Sequence, residues 1–349
     1  MLNQNYSYYC DLMERMTTSN GLRAMLFMQS FFALLSLPLL VRTVRNVHRG
    51  VLLHRNVRML LLVYFFGLIL HSLTRITLHG TDFIVYSLPR RNSCDILPSL
   101  TRCLSMRVPF NFSMFFVLLS SMCIAIERCI STKYYYYSYE KNRTMGPIIA
   151  AIQVLLSLAI LTALYSRADF SRPIVYCMHT TPETVIHAVL PFTLIAGVQF
   201  FAVLILWTLR KFNEAILKEQ EFSSGLIARY NLYENIRTIT IVMPFCLASC
   251  IFTLIFLAID AALIASKIKF DPPTLYAILD GSLLLPEYSL LLPSIVKYMI
   301  DKVEATRRET LRNQLTSFGA DVQADLYFKS LKDSWDRRYS YSSQQPCTS

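Results

Sequence analysis

Charged residues are scarce in this sequence. They make up 16% of its 349 residues, whereas an ordinary soluble domain contains about 25%. Glycine is scarce too, with 9 residues, which excludes collagen-like and glycine-rich low-complexity chains. By contrast, 54% of the residues are hydrophobic, with 22 phenylalanines and 20 tyrosines. Few charges and many apolar side chains are typical of a membrane protein.

Catalytic and metal-binding motifs are also missing from the sequence. It contains no H-E-x-x-H, no G-x-S-x-G and no cysteine/histidine cluster with the spacing of a metal site. The pairs His48/His54 and His179/His187 lack a third ligand. We therefore predict no enzymatic activity, no metal and no cofactor. The sequence also lacks an internal repeat, which argues against a transporter built from duplicated halves.

Seven stretches are long and apolar enough to cross about 30 Å of hydrocarbon as helices. The sequence thus predicts an all-α membrane protein, a seven-transmembrane helix bundle over 24–298. It is preceded by a polar segment, 1–23, without a cleavable signal pattern, and followed by a tail, 299–349. The predicted spans are 24–41, 59–78, 104–126, 147–165, 185–209, 239–264 and 274–298. We expect the prolines inside them to kink helices without ending them, at Pro38, Pro109, Pro191, Pro244, Pro286 and Pro293.

Basic residues are concentrated on one side of the predicted spans. The loops after spans 1, 3 and 5 contain 14 lysines and arginines, and the three loops on the other side contain 8. By the positive-inside rule, the N-terminus lies outside and the C-terminus inside. This asymmetry explains the net charge of +11, so we predict a lipid bilayer and no nucleic acid as a partner.

The tail after span 7 begins with an amphipathic pattern over 299–318. Its apolar residues fall on one helical face, with basic residues elsewhere. They are Ile300, Val303, Leu311, Leu315 and Phe318. The pattern predicts a short amphipathic helix at the membrane surface.

Four of the nine cysteines lie on the predicted outer side, where disulfides persist. Cys103 precedes Arg128 by 25 residues, about 37 Å of helix, and so lies at the outer end of span 3. Cys177 is in the next outer loop, within reach of it. Four cysteines allow three pairings. We favour Cys103–Cys177 and keep Cys94–Cys177 as the rival. Cys10–Cys94 is a possible second pairing.

Three N-x-S/T sequons occur, and only one of them falls in a predicted outer segment. Its asparagine is Asn5, which we predict to be glycosylated.

The segment before span 6 carries a recognisable signature. The run "SSGLIARYNLYENIRTITIVMP" (223–244) resembles the L-x-x-R-Y-Q-x-x-E-N signature of nematode serpentine chemoreceptors, in the superfamily of the Sra, Srb, Srab and Sre groups. Further matching pieces follow the family's order and cover most of the chain: "HRNVRMLLLVYF" (54–65), "SCDILPS" (93–99), "IERCISTKYYYYSYEKNRTMGPI" (126–148) and "YFKSLKDSW" (327–335). We assign the chain to this superfamily, closest to Srab or Srb.

Two departures accompany this resemblance. Asn231 stands where the family has Gln, and span 7 has "LLPSIVKY" (291–298) where rhodopsin-like receptors have Asn-Pro-x-x-Tyr. The switch of rhodopsin-like receptors is therefore not carried over to span 7.

The resemblance implies a G-protein-coupled chemosensory receptor in the plasma membrane of sensory-neuron cilia. It would bind a small-molecule cue outside and activate a heterotrimeric G protein inside. Glu234 is expected to pair with Arg128 across the bundle and to release it when span 6 moves. The alternative is a solvated helix start. The candidate switch residues are Glu127, Arg128, Arg229, Tyr230, Glu234 and Asn235.

Ionisable residues inside the outer halves of the spans are ligand-site candidates, because such groups are costly in lipid. Spans 2 and 7 are neighbours in the fold that the chain resembles, so we expect Arg75 to pair with Asp280. The alternative is a purely structural pair. The full candidate set is His71, Arg75, Arg107, His187, Asp260, Asp280 and Glu287.

A seven-span ligand-gated channel or transporter is the alternative function. Insect odorant receptors also have seven spans, with the N-terminus inside, so orientation discriminates between the two functions. The distribution of lysine and arginine favours the receptor.

Overall fold

The computed structural model of the protein describes residues 2–49, 54–88, 93–135, 144–166, 175–177, 185–219, 226–265, 270–317, 328, 329 and 332. Two compact units are distinguished, Met1–Lys297 and Tyr298–Ser349, and the site below lies in the first. The described residues form nine α-helices: α1 Leu2–Thr18, α2 Asn20–Arg49, α3 Arg55–Ser87, α4 Leu100–Lys133, α5 Met145–Tyr165, α6 Val185–Glu219, α7 Leu226–Ala265, α8 Pro272–Gly281 and α9 Leu285–Ser317. A short 3-10 helix, Ser93–Ile96, precedes α4.

Seven helical segments are long and apolar enough to cross a membrane. They are Asn20–Arg49, Arg55–Ser87, Leu100–Lys133, Met145–Tyr165, Leu190–Glu219, Ile227–Leu263 and Pro272–Thr310. Each overlaps one predicted span, and the all-α seven-helix fold class is confirmed. We number these segments spans 1–7. Most extend beyond the predicted bounds, because a helix need not stop where the hydrocarbon ends.

The third span, α4, is the centre of the bundle. It packs against α3, α5, α6 and α7. In its most apolar stretch of 18 residues, 72% of the residues are buried, compared with 28% in the corresponding stretches of spans 1, 4 and 5. Large apolar side chains elsewhere are more than half exposed, among them Phe66, Leu155 and Phe201. Such exposed apolar surface is suited to lipid tails. The helices therefore surround α4 with their outer faces apolar.

The seventh span is interrupted. α8 ends at Gly281, Ser282–Leu284 are not helical, and α9 begins at Leu285. Pro286 follows at once, and a proline has no N–H to bond the carbonyl four residues earlier. Pro286 therefore marks a helix end, and the expectation that it only kinks its helix is wrong. The other five prolines in the predicted spans lie inside continuous helices.

A helix that the sequence analysis did not predict, α1, covers one end of the bundle. Its Met13 and Met16 are fully buried against Leu22, Tyr86 and Val175. Two methionines three residues apart fall on one helical face. The apolar face of α1 thus packs on the bundle although its composition is polar.

Two disulfides tie this end together. Cys103 in the first turn of α4 is bonded to Cys177, and Cys10 in α1 is bonded to Cys94 in the 3-10 helix. These are the favoured pairing and the possible second one, and the Cys94–Cys177 rival is not formed. We call this end of the bundle the disulfide end.

The tail helix predicted for 299–318 is not a separate element. Those of its residues up to Ser317 are helical, but they belong to α9, which runs Leu285–Ser317. The sequence has no glycine or proline between Ser294 and Ser317 that would end a helix there. Asn5 lies in α1, with its side chain outside the described part of the chain, so its glycosylation stays a prediction.

Candidate functional site

Four nitrogen-bearing side chains surround the ring of Phe110 in α4, near the disulfide end. The guanidinium carbons of Arg75 and Arg107 lie 5.3 and 4.8 Å from the ring centroid. The imidazole centroids of His71 and His79 lie 4.8 and 6.1 Å from it. All five side chains are buried. We call these five residues the Phe110 cluster, in which the ring face offsets part of the desolvation of the cations.

Asp280 in α8 supplies a carboxylate to this cluster. Its Oδ1 accepts a hydrogen bond from Nη2 of Arg107 at 3.1 Å, and its Oδ2 accepts one from the Tyr176 hydroxyl at 2.5 Å. Arg75 donates from Nη2 to the backbone carbonyl of Asp280, at 2.9 Å. The expected Arg75–Asp280 pair is therefore present, but through the backbone carbonyl, because Arg107 occupies the carboxylate.

The interruption of span 7 explains this exchange of partners. Past the end of α8, the Leu284 N–H bonds to the Ser282 carbonyl at 2.9 Å and not to the Asp280 carbonyl. The Asp280 carbonyl is thus one of the acceptors that a helix end leaves without an intrahelical donor. Arg75 bonds to it, and a cation at a helix C-terminus is also electrostatically favourable. Only a helix end at this position creates that acceptor.

Several polar atoms of the Phe110 cluster have no hydrogen-bond partner among the described residues. They are Nε and Nη1 of Arg75, both ring nitrogens of His79 and Nε2 of His71. The Nδ1 atom of His71 lies 3.2 Å from the Ser113 hydroxyl. Because Arg75, His71 and His79 are 0% exposed, each donor without a partner has a desolvation cost.

Gln29 and Glu287 form a second polar group at the break in span 7. The Gln29 Nε2 atom donates to Glu287 Oε1 at 3.4 Å and to the Gly281 carbonyl at 3.3 Å. Glu287 Oε2 and Gln29 Oε1 have no partner in the part of the chain that the structure describes. These contacts join α2 to both sides of the break.

Tyr176 closes the cluster towards the disulfide end. It lies next to Cys177 and packs in the same apolar group as Met13 and Met16 of α1. Burial, and then the Asp280 carboxylate, raise the pKa of the Tyr176 hydroxyl well above its usual value. Tyr176 is therefore a neutral hydroxyl that donates to Asp280.

An apolar cavity lies between α4, α6, α7 and the break in span 7. Its volume is about 20 Å³, which is room for about one water molecule. It is lined by Leu118, Phe192, Ser249, Phe252, Thr253, Phe256, Leu283, Leu284, Leu285 and Tyr288. Leu283 also packs against the apolar group that contains Phe110. The cavity and the Phe110 cluster therefore share a wall.

Tyr288 connects this cavity to span 6. Its hydroxyl donates to the backbone carbonyl of Phe245 at 3.2 Å and is hydrogen-bonded to the hydroxyl of Tyr64. Tyr288 is fully buried, so a molecule in the cavity contacts a side chain that holds spans 2, 6 and 7 together.

At the opposite end of the bundle, Arg128 is 0% exposed and its donors are met. Nε and Nη2 donate to the two carboxylate oxygens of Glu127, at 2.6 and 2.7 Å. Nη1 donates to Asn235 Oδ1 in α7 at 2.8 Å, and Ser131 donates to the same oxygen at 2.7 Å. Arg128 thus bridges spans 3 and 6.

The expected Glu234–Arg128 pair is wrong. In the described structure Asn235 takes that position, and Glu234 lies 3.9 Å from Arg237 one turn along α7. Neighbouring positions on a helix point about 100° apart, so only one of residues 234 and 235 can face α4 directly. Arg229 and Tyr230 lie in the same helix.

The remaining candidates do not join the cluster. Asp260 in α7 is buried, and its Oδ1 has no partner among the residues described. The side chain of His187 lies outside the described residues. Nowhere in the described part do three His, Cys, Asp or Glu side chains gather to hold a metal ion.

The sequence analysis missed His79, Tyr176 and the Tyr64–Tyr288 bond. A signal for His79 was present, because His71, Arg75 and His79 are spaced by four and so share one face of α3. No comparable signal marks Tyr176 or Tyr288, since nothing in their local sequence indicates a partner 104 or 224 residues away.

Comparison with known proteins identifies the family. Residues 7–336 match the model of the serpentine type 7TM GPCR receptor class ab chemoreceptors. Serpentine receptor class beta-16 of Caenorhabditis elegans is 25% identical over 295 residues, 82% of this chain and 84% of that protein. Serpentine receptor class alpha/beta-14 of the same organism is 28% identical over 205 residues, 55% of this chain and 50% of that one. Serpentine receptor class alpha-39 is 22% identical over 267 residues, 74% and 68% of the two chains.

The resemblance to the superfamily is thereby confirmed over nearly the whole chain. The relatives are named as receptors, and the seven apolar helices indicate a multi-pass membrane protein. The chain belongs to the serpentine type 7TM GPCR receptor class ab chemoreceptor family.

Proposed function

We propose that this protein is a G-protein-coupled chemosensory receptor of the plasma membrane, in sensory-neuron cilia. It binds a small-molecule cue near the disulfide end, which faces outward, and activates a heterotrimeric G protein at the opposite end. The excess of lysine and arginine in the loops of that opposite end supports this orientation. So do the two disulfides, because such bonds persist outside the cytosol.

The hydrogen bond from Arg128 to Asn235 carries the proposal. It joins spans 3 and 6 at the inner end of the bundle and is fully buried. A buried bond between two helices that separate is a two-state element: it favours the closed arrangement and is lost in the open one. Opening this end would give a G protein access between the helices.

The cue would act through Tyr288, by displacing the side chains that line the small apolar cavity. A molecule that contacts Tyr288 can change the bond from Tyr288 to the Phe245 carbonyl in span 6. Asn235 lies in the same helix, ten residues earlier. A cue shifts the population towards the open form only by as much as it binds that form more tightly.

A G-protein dissociation assay in cells tests this function. Loss of a hydrogen bond to a charged group shifts an equilibrium by about tenfold or more. We expect Asn235→Ala to raise basal G-protein dissociation by up to about tenfold, when the variant and the wild type are compared at equal amounts of receptor on the cell surface. Asn213→Ala is the matched control, because Asn213 donates to Thr132 at 3.1 Å and joins spans 5 and 3 without contact to Arg128.

The outcomes separate the competing readings. Equal basal activity in Asn235→Ala and Asn213→Ala would contradict the role of the Arg128–Asn235 bond. A larger rise in Glu234→Gln would restore Glu234 as the switch partner. Cue-evoked current without G-protein dissociation would overturn the receptor in favour of a channel.

A further inference from the structure

Arg75 is a buried arginine without a carboxylate oxygen of its own. Both oxygens of Asp280 are engaged, Oδ1 by Arg107 and Oδ2 by Tyr176. The oxygen of Glu287 that has a partner, Oε1, accepts from Gln29. Among the described residues, the hydrogen bond that Arg75 makes is therefore the one from Nη2 to a backbone carbonyl.

This arrangement is costly within the described bundle. A guanidinium stays protonated in proteins, and Arg75 is 0% exposed with two nitrogens that lack partners in the described chain. Asp280 and Glu287 lie near enough to attract Arg75, but neither carboxylate is hydrogen-bonded to it in the described chain. Buried donors left without partners are costly, so Arg75 is equipped to bind an anion that the described residues do not supply.

His79 adds a second donor on the same face of α3. It follows Arg75 by four residues, one helical turn along. Neither of its ring nitrogens has a partner among the described residues, and at least one nitrogen of an imidazole carries a proton. Both side chains lie against the ring of Phe110. Two buried side chains with unused donors beside one ring therefore offer charge-assisted hydrogen bonds to a small anion.

We propose that the Phe110 cluster binds a monovalent anion, with Arg75 as its principal ligand and His79 as a second donor. The anion is either a dissolved halide or the carboxylate of an organic cue, which share this chemistry. The second source rests on the proposed function: Leu283 packs against the apolar group that contains Phe110 and also lines the apolar cavity, so a cue whose carboxylate binds Arg75 lies close to the cavity wall that contains Tyr288.

Binding is measured on the purified full-length protein in lipid nanodiscs, without any signalling partner. Chloride, acetate and butyrate are titrated separately at constant ionic strength, which sodium sulfate maintains because sulfate is neither a halide nor a carboxylate. We expect at least one of them to raise the unfolding midpoint in a saturable way, by about 2 °C or more. A rise in the unfolding midpoint with chloride alone assigns the site to a halide. A rise with acetate or butyrate alone assigns it to a carboxylate.

Arginine variants supply the controls. Arg75→Gln should lose the anion-dependent shift, and Arg15→Gln, an exposed arginine at the same end, should keep it. If Arg75→Gln does not fold, Arg75→Lys keeps the charge with a different donor geometry. Arg75→Lys should weaken apparent affinity by about tenfold.

Three results would overturn the site. They are no saturable shift in the wild type, an equal shift in Arg75→Gln, or a shift that appears only in Glu287→Gln. The last would mean that Glu287 itself neutralises Arg75. A different result separates the two proposals. If the wild type shows the anion-dependent shift and Arg75→Gln loses it, but Arg75→Gln responds to the cue in cells as the wild type does, the site binds an anion and takes no part in sensing the cue.

Discussion

The two ends of the bundle each bury an arginine completely, and the surroundings of the two arginines differ. Arg128 donates from all three of its nitrogens, twice to Glu127 and once to Asn235. Arg75 donates from one nitrogen, to a backbone carbonyl. A charge whose partners lie within the chain can serve as a latch between helices. A charge with unmet donors is suited to bind a ligand.

The difference begins with distance along the chain. Glu127 is adjacent to Arg128 in span 3, so the two charges of this ion pair come from the same helix. Asp280 lies 205 residues from Arg75 and is shared with Arg107 and Tyr176. Helix packing therefore decides which arginine obtains the carboxylate.

Removing the carboxylate at each end should have the largest effect. Glu127→Gln and Asp280→Asn each leave a buried arginine without its ion-pair partner, at a cost of about 3–5 kcal/mol. Saturating acetate or chloride should restore part of the unfolding midpoint of Asp280→Asn and none of that of Glu127→Gln. Equal recovery in the two purified variants would remove the distinction between the ends.

Removing a disulfide should have the next largest effect, confined to the disulfide end. Cys103→Ser/Cys177→Ser should lower the free energy of unfolding by about 2–4 kcal/mol. It should also weaken anion-dependent stabilisation, because Tyr176 beside Cys177 holds Asp280. Cys129→Ser, a free cysteine near Arg128, is the control for thermal unfolding. Unchanged anion dependence would show that Tyr176 is positioned without the bond.

Gly67→Ala tests the contact between spans 2 and 3, the helices that carry Arg75 and Arg128. A Cβ at Gly67 would lie 2.7 Å from Cδ1 of Phe116, so either the Phe116 ring or the helices must shift. We expect a loss of about 1–3 kcal/mol from overpacking, together with weaker anion binding.

Gly197→Ala is the matched control for this change. Nothing lies within 4 Å of a Cβ at Gly197 in α6, so this variant should gain about 0.5–1 kcal/mol from helix propensity. Stability measured on the two purified variants should move in opposite directions. The same direction in both would mean that the spans 2–3 contact is not tight.

Breaking the exposed ion pair of Arg15 and Asp271 should have the smallest effect. The two side chains are 52% and 44% exposed, and such pairs contribute about 0–1 kcal/mol. Arg15→Gln should leave the unfolding midpoint nearly unchanged at physiological salt. A fall comparable to that of Asp280→Asn would indicate that α1 depends on this pair.

The number of spans and the favoured disulfide pairing were predictable because both follow from short stretches of sequence. A run of about 20 apolar residues requires a helix in lipid whatever its neighbours are. Cys103 could be assigned to the end of span 3 by counting helical rise. The buried face of α1 was missed because two methionines in a polar segment are a weak periodic signal.

The partners of the buried charges were predicted less well. Glu234 and Asn235 are neighbours in sequence, but a rotation of about 100° separates their directions, and the orientation of α7 selects Asn235. Arg75 was assigned the correct residue but the wrong atom, because the end of α8 leaves the Asp280 carbonyl available.

The sequence by itself determined the seven apolar spans and the motifs of the serpentine family, since each depends on local composition or adjacent residues. Only the tertiary structure decided that Arg107 obtains the Asp280 carboxylate, that Asn235 receives Arg128 and that Arg75 retains unmet donors. These outcomes depend on the rotation of each helix and on where span 7 breaks, and packing of distant segments determines both.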